Sequence, residues 1–394
     1  MQEPEAQEPE AQAGGPRAVL LFGGDFCPVG RCEQKMLAGE PLLDDAAGAL
    51  FRQSDVAVVN LEAPLCAAGL PAASPGGSGL RADPRVAEAM RGYGIGVAGL
   101  ANNHILDFRD EGVRQTLQHL KANGILGTGA GMNLDEAQQP LALEVNGIRV
   151  GLWALAEREL NVASASSAGS SWFRPDADAL RVRELRAGFD FLVIFLHAGH
   201  EFTHTPSPRI RAACRNLVDA GADAVIAHHP HVVQGVERYK GAVIAYSLGN
   251  LVFDTPYVSA YKDTDTGYLV RLAVSPHAIH KAEFIPYRQD RGAVVTLLTG
   301  AEREAFDRRL HALSGNITDE ARFERAWEEN VRFRWETEYR RILTDFSKHF
   351  TDPRNKDYAY RSRNLFTCPT HTEMLETIFL MLEQGKLARE DMPS

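Results

Sequence analysis

Five short apolar runs in this chain stop at residues that bind metals, and that recurrence constrains the fold more than any other feature. AVLLFGGD ends in Asp25, DVAVVNLE in Asn60 and Glu62, and IGVAGLANNH in Asn103 and His104. FDFLVIFLHAGHE ends in His197, His200 and Glu201, and DAVIAHHPH in His228, His229 and His231. The runs lack polar alternation, which suits strands covered on both faces. Helical text lies between several of them. Residues 109–123 place Val113, Leu117 and Leu120 on one face, and Ser207-Pro208 supplies a cap and first turn for a helix over 208–220. Strand–helix alternation predicts a layered α/β fold, and ligands in such sheets collect beyond the carboxyl ends of strands.

The rest of the chain is organised around that core. Residues 1–16 are acidic and carry no aromatic side chain, so a disordered tail is expected. Asn146-Gly147 between two apolar runs is a hairpin signal, and similar turns are read at Lys240-Gly241 and Thr266-Gly267. With 277–299 these hairpins predict a second sheet. Residues 68–80 and 160–172 read as loops, the latter a candidate lid. From 300 the text becomes charged and helical to 349, with another helix over 371–387. The expected domains are therefore 17–299 and a helical extension over 300–394, packed on the main domain or used for homodimerisation.

Asp25, Glu62, Asn103, His197, His229 and His231 form the expected metal set, because carboxylates and imidazoles suit hard or borderline divalent ions. Two such ions need a shared anionic bridge, can clamp an oxyanion, and lower the pKa of bound water. Their identity is open among Mn, Zn, Fe, Ca and Mg. His229-Pro230-His231 on an extended segment would aim both imidazoles the same way. His104 is a candidate acid or base, with Asp107 fixing its tautomer, and His200 and Glu201 are candidates to orient a ligand. Cys27, two residues past Asp25, can be a soft ligand, a base or a buried thiol. Taken singly, each residue has an ordinary explanation, such as a cap, a turn or a core histidine. Of 13 His, however, five fall in 197–200 and 228–231, and that concentration at two strand exits argues for a site.

At this point the motifs point to a family. GGD (Gly23–Asp25), NLEAP (Asn60–Pro64), ANNHILD (Ala101–Asp107), HAGHE (His197–Glu201), AHHPHVVQGVE (Ala227–Glu237) and YSLGNLVFD (Tyr246–Asp254) occur in that order. As a set they resemble the CapA group of poly-gamma-glutamate capsule proteins, a branch of the calcineurin-like metallophosphoesterases. The resemblance implies a layered sandwich with helices outside. It also implies that Asp25 binds a first ion and Glu62 bridges. Asn103, His197 and His229 would bind the second ion, His231 would return to the first, and His104 would donate a proton. This chain departs from the broader pattern at Cys27, where a His is usual, and at Glu62, where an Asp is usual.

The leading expectation is metal-dependent hydrolysis of a phosphoester. The alternatives are α-carbon epimerisation in a ribosomal, lasso-type peptide pathway, and a non-catalytic accessory role in poly-gamma-glutamate synthesis. For epimerisation His104 would pair with His200 or Cys27 as acid and base. A net charge of -10 disfavours nucleic acid and anionic membrane as partners. Five cysteines make no disulfide framework, and the acidic opening MQEPEAQEPE is unlike a secretory leader, so a cytoplasmic protein is expected.

Overall fold

Every apolar run identified above is a strand, and the strands divide between two sheets. The structure is a computed structural model that describes residues 17–74, 76, 79–349 and 356–387. The acidic tail over 1–16 lies outside the described residues, as does part of the 68–80 loop.

The first sheet holds β1 (Ala18–Cys27), β2 (Val56–Leu61), β3 (Val97–Gly99), β4 (Leu126–Thr128), β13 (Asn250–Phe253), β14 (Thr266–Ser275), β15 (Ala278–Gln289) and β16 (Val295–Leu297). Its order is β16-β15-β14-β1-β2-β3-β4, with β13 pairing the distal half of β1. The second sheet holds β6 (Leu141–Val145), β7 (Ile148–Ala156), β9 (Phe191–His197), β10 (Ala224–His228), β11 (Val236–Tyr239) and β12 (Ala242–Ala245), in the order β11-β12-β10-β9-β7-β6. A small pair joins β5 (Ala130–Gly131) to β8 (Gly169–Ser170). The central strands of both large sheets are parallel, with antiparallel strands toward the edges.

Strand alternation makes the sandwich. Leu20, Phe22 and Val58 from the first sheet meet Val193, Phe195 and Ile226 from the second in one core. The intervening residues face outward. Leu21, Ala57 and Val59 pack under helices on one side, while Leu192, Ile194 and Val225 pack under helices that include Pro208–Asp219 on the other. Both faces of each central strand are buried, which accounts for the absence of polar alternation. Ser207 caps Pro208–Asp219 by accepting from the Ile210 backbone N–H at 3.3 Å.

The structure corrects four expectations. The hairpins do not assemble together as a second sheet: β6, β7, β11 and β12 join β9 and β10, whereas β14 to β16 extend the first sheet. Thr266-Gly267 opens β14 rather than turning. Gly267 is small because a Cβ there would sit 2.4 Å from the Tyr287 hydroxyl. The 160–172 segment is not a lid. Asn161, Ser170 and Ser171 are buried in it, and Asn161 Nδ2 donates to the Asn102 carbonyl at 2.8 Å, which pins the segment to the β3 exit. Finally, His229-Pro230-His231 is not extended, since His229 has φ 98° and His231 φ 57°.

Beyond residue 300 come helices Gly300–Thr318, Glu320–Arg334, a π-helical turn at Trp335–Tyr339, and Arg340–His349, Lys356–Thr367 and Pro369–Glu383. Gly300–Thr318 adds Phe306, Leu310 and Ile317 to the cores of the two sheets, and the later helices share a core around Trp327, Val331, Trp335, Met374 and Ile378. Arg209 and Arg211 of Pro208–Asp219 pair with Glu373 and Glu320 of these helices. No helix among the described residues is long and apolar enough to cross a membrane.

Gly24 sets how closely β1 and β13 approach. A Cβ at this position would lie 1.9 Å from the Gly249 carbonyl oxygen, which accepts from the Asp25 N–H at 3.1 Å. Gly24→Ala is expected to lower stability by about 1–3 kcal/mol or more and to displace Asp25. A thermal melt and metal content measured together check this; wild-type values for both would refute it.

Candidate metal centre

The carboxyl ends of β1, β2, β9 and β10 converge, and each delivers one or more polar side chains into one buried cluster. Asp25 and Glu62 are fully buried, and His197, His229 and His231 nearly so. His231 lies 3.4 Å from Asp25 Oδ2 through Nδ1 and 3.6 Å from Glu62 Oε1 through Nε2. His197 Nε2 is 3.8 Å from the same Glu62 oxygen and 3.0 Å from Asn103 Oδ1. The His197 and His229 rings are 4.6 Å apart. Glu62 therefore sits between two groups of imidazoles, as a bridging carboxylate must.

Two clusters have ligand atoms all within 4.8 Å of one another: Glu62, His229 and His231, and Asp25, Glu62 and His197. Both contain Glu62. This grouping differs from the family-derived split, in which Asp25 and His231 share an ion, although Asp25 and His231 do lie in contact. Asp25 Oδ2, Glu62 Oε1 and His229 Nδ1 make no hydrogen bond despite complete burial. Unsatisfied carboxylate oxygens are costly inside a protein. Two carboxylates, three imidazoles and an amide oxygen are the donor set that divalent cations satisfy, so the residues fit the metal centre expected of them.

The electrostatics carry the same message. Burial works against ionising Asp25, but His228 and His231 outweigh it and hold the carboxyl well below its usual range. Glu62 goes the other way: burial, then the charge of Asp25, pushes it well above the ordinary value. Burial opposes protonation of His231, yet Glu62 and Asp25 together raise it to about 10. Burial and the neighbouring His229 keep His197 neutral. The cluster thus ionises Asp25 only beside the His231 imidazolium and leaves Glu62 short of a positive partner.

His104 and Asp107 stand beside this cluster on the turn after β3, with Nδ1 to Oδ2 at 2.8 Å. Burial disfavours the imidazolium, but Asp107 lifts His104 to about 9. Cys27 is a fully buried thiol that burial, then Glu62, pushes well above the ordinary range, and neither metal-capable cluster includes it. His200 is buried with its ring 5.5 Å from Trp327. Near the cluster, Asn250 Oδ1 contacts His231 Nδ1 at 2.9 Å, while Tyr246 donates to Glu237. Arg31 is engaged with Asp254, and Arg109 donates to the Ala72 carbonyl.

Several residues outside the expected metal set also meet the site. Asn60 Nδ2 donates to Asp25 Oδ1 at 2.8 Å and lies 3.1 Å from His197 Nδ1. His228 Nδ1 is 3.2 Å from Asp25 Oδ1. Glu159, just past β7, lies 3.8 Å from His229 Nε2 and accepts from Asn364 at 3.1 Å. Asn364, Thr370 and His371 come from the C-terminal helices. With Glu159, His200, Glu201, His229, Tyr257 and Arg334 they enclose a cavity of about 190 Å³ against the metal centre.

The sequence pattern of the family described as bacterial capsule synthesis protein PGA_cap matches residues 19–255. The chain belongs to that family. This PGA_cap chain is 29% identical over 237 residues to the capsule biosynthesis protein CapA of Bacillus anthracis, covering 59% of this chain and 57% of that protein. It is 28% identical over 253 residues to the PGA biosynthesis protein CapA of Bacillus subtilis, covering 61% and 66%. A probable polyglutamine synthesis accessory protein of Mycobacterium tuberculosis is 30% identical over 224 residues, covering 51% and 56%. In each case the match spans less than two thirds of the relative's own length. Among solved structures, a 5'-nucleotidase precursor from Thermus thermophilus superposes with a TM-score of 0.39 at 16% identity, covering 77% of this chain and 59% of that one. The PGA_cap match stops at residue 255, so the helices that wall the cavity lie outside it.

Proposed function

We propose that this centre binds a peptide and inverts one α-carbon, rather than hydrolysing a phosphoester. The observation that carries this reading is the charge of the enclosed cavity. Glu159, Glu201 and Glu338 line it, and its one arginine, Arg334, is already paired with Glu338. A phosphoester dianion favours a surplus of guanidinium and ammonium groups. Here it would meet carboxylates. A neutral peptide unit does not carry that penalty. The name of the Mycobacterium tuberculosis relative, which refers to polyglutamine synthesis, also points toward a peptide-like polymer.

Asp25, Glu62, Asn103, His197, His229 and His231 would hold the divalent ions, whose Lewis acidity draws electron density from a bound carbonyl or carboxylate. The chain's own groups then move the proton. Glu159 and His104 arrive on separate elements and influence each other's charge across the site. Burial, then Glu201 and Glu157, pushes Glu159 up to about 7, a range suited to a general base near neutrality. Glu159 takes the α-proton, the α-carbon becomes planar, and the His104 imidazolium delivers a proton to its other face. Composition is unchanged, and both groups exchange protons with solvent before the next turnover.

The test is incubation of the manganese-loaded protein with synthetic α- and γ-linked peptides in deuterated water. Deuterium at one Cα without cleavage is the expected result. Phosphate release from aryl phosphates with no Cα exchange would overturn the reading. Neither activity, together with pathway function that survives loss of metal, would favour a structural accessory role. Asp107→Asn is expected to move the alkaline limb of the rate profile down from about 9, because His104 loses the charge that keeps it protonated. His104→Gln should cost about 10²–10⁴-fold in rate. An unchanged pH profile in Asp107→Asn would exclude His104 as the donor.

A further inference from the structure

We propose that the cavity walled by the C-terminal helices is a subsite for one residue of a peptide chain, and that Arg334, His200 and Asn364 bind its main-chain amide. The inference rests on the peptide reading above and adds which residues recognise the substrate.

Size comes first. About 190 Å³ is below the usual range for small-molecule pockets, roughly 300–1,000 Å³, and holds a single residue rather than a polymer segment. Chemistry then narrows the occupant. His200 is 2% exposed, and neither ring nitrogen has a partner. Burial, then the charge of Arg334, holds its pKa well below the ordinary value, so the ring is neutral and offers one N–H and one bare nitrogen. Arg334 is 6% exposed. Its Nη atoms are used by Glu338 and the Glu201 carbonyl, while Nε–H is unpaired. Asn364 gives its Nδ2 to Glu159 and leaves Oδ1 unpaired.

His200, Arg334 and Asn364 all line the cavity, and each keeps a buried polar atom without a partner: a ring N–H, Nε–H and Oδ1. Unpaired buried groups of this kind each cost stability and are retained where a ligand completes them. A peptide amide is complementary: its carbonyl oxygen accepts both donors and its N–H donates to Asn364. Phosphate would satisfy the donors but set its oxygens against Asn364 Oδ1 and Glu159. An apolar group would satisfy none of them. Arg334 also begins the π-helical turn Trp335–Tyr339, and such turns recur at functional sites because they re-aim side chains at some expense in backbone regularity. Tyr339 in that turn holds His371 Nδ1 at 2.5 Å, which fixes the facing wall.

The experiment is calorimetric titration of the full-length, manganese-loaded protein with N-acetylated, C-amidated tripeptides, with inorganic phosphate as the competing probe. Capped tripeptides should bind, and His200→Phe and Asn364→Leu should each weaken binding tenfold or more. His200→Phe keeps a ring against Trp327 while removing both nitrogens, so its thermal midpoint should equal or exceed that of wild type and its metal content should match. Equal affinity in both variants, with folding and metal content intact, would overturn the subsite. So would phosphate binding in competition with the peptides but unaffected by either variant. Variant-sensitive peptide binding without Cα deuterium uptake would keep the subsite and remove the inversion chemistry. Uptake undiminished in His200→Phe would do the reverse.

Discussion

In Glu62→Gln the metal-free protein is expected to melt at a higher temperature than wild type, while metal uptake fails and turnover falls about a thousandfold. The two effects share one cause. Burial and Asp25 hold the Glu62 carboxyl well above its ordinary pKa. A group raised in this way contributes its full stability below the unfolded pKa and loses it as pH climbs toward the folded one. Metal-free wild type should therefore weaken from about pH 4.5 upward, as the unfolded chain releases the proton that the buried carboxyl keeps. Glutamine cannot ionise, so it removes that loss. Bound divalent cations reverse the sign, because they give the carboxylate the opposite charge it lacks. Added manganese should raise the wild-type melting temperature more at pH 8 than at pH 5, and the increment should shrink in Glu62→Gln. Asp25 behaves oppositely. His228 and His231 hold it low against burial, so its contribution persists above pH 3.8 and disappears in acid. Melting curves with and without chelator at the two pH values decide the matter. Full turnover in Glu62→Gln, or a wild-type midpoint that manganese does not move, would remove the bridging role.

Which parts of this centre could be seen in the sequence follows from how locally each is encoded. A strand buried on both faces must be apolar throughout, so the first polar residues after it are visible as an exit, and Asp25, His197 and the segment from His228 to His231 were legible for that reason. Sheet membership was not. A hairpin strand has the same local pattern whichever sheet it extends, and β6, β7, β14 and β15 are told apart only by long-range pairing. Gly267 shows a related ambiguity: a glycine in a strand signals either a turn or a close approach, and here the Tyr287 hydroxyl decides. His228 stands outside the expected metal set, yet its Nδ1 lies 3.2 Å from Asp25 Oδ1. The positive φ of His229 breaks the two-residue alternation, and both imidazoles serve the site. Holding a non-glycine residue there is unfavourable, which is the kind of strain that functional sites keep. Asn60 did leave a signal, a lone amide inside VVNLE, since an unpartnered amide in a buried strand would be destabilising. Arg334, Asn364 and Thr370 left none. Charged helical text reads as solvated surface by default, and their distance in sequence from the strand exits hides the contact.

The largest stability loss is expected from Arg209→Met, outside the proposed metal set. Arg209 opens the helix Pro208–Asp219 and joins three parts of the protein. Its guanidinium pairs with Glu157 just past β7, reaches Glu373 at 3.2 Å, and donates to Thr370 Oγ1 at 2.8 Å. Its backbone N–H also donates to Glu373, at 2.9 Å. Glu157 in turn accepts from Thr370 and from the Gly199 N–H at 3.2 Å, beside His200 and Glu201. Side-chain exposure is 24% for Arg209, 4% for Glu157 and 14% for Glu373, so solvent cannot replace the lost cation. Methionine would leave two carboxylates facing each other, and breaking a buried pair from one side costs about 3–5 kcal/mol. The damage should be directional. Helix Pro369–Glu383 would lose its anchor, and protease should cut within residues 300–387 while the sandwich stays folded. Removing the carboxylates as well, in Glu157→Gln/Arg209→Met/Glu373→Gln, should recover most of the loss, because the penalty lies in the orphaned charge rather than the absent pair. Urea unfolding and limited proteolysis of the three proteins test this. A midpoint for Arg209→Met within about 0.5 kcal/mol of wild type would mean that the network is incidental. In that case the extension is held by its apolar contacts alone, and it could leave the cavity without disturbing the loop that carries His200.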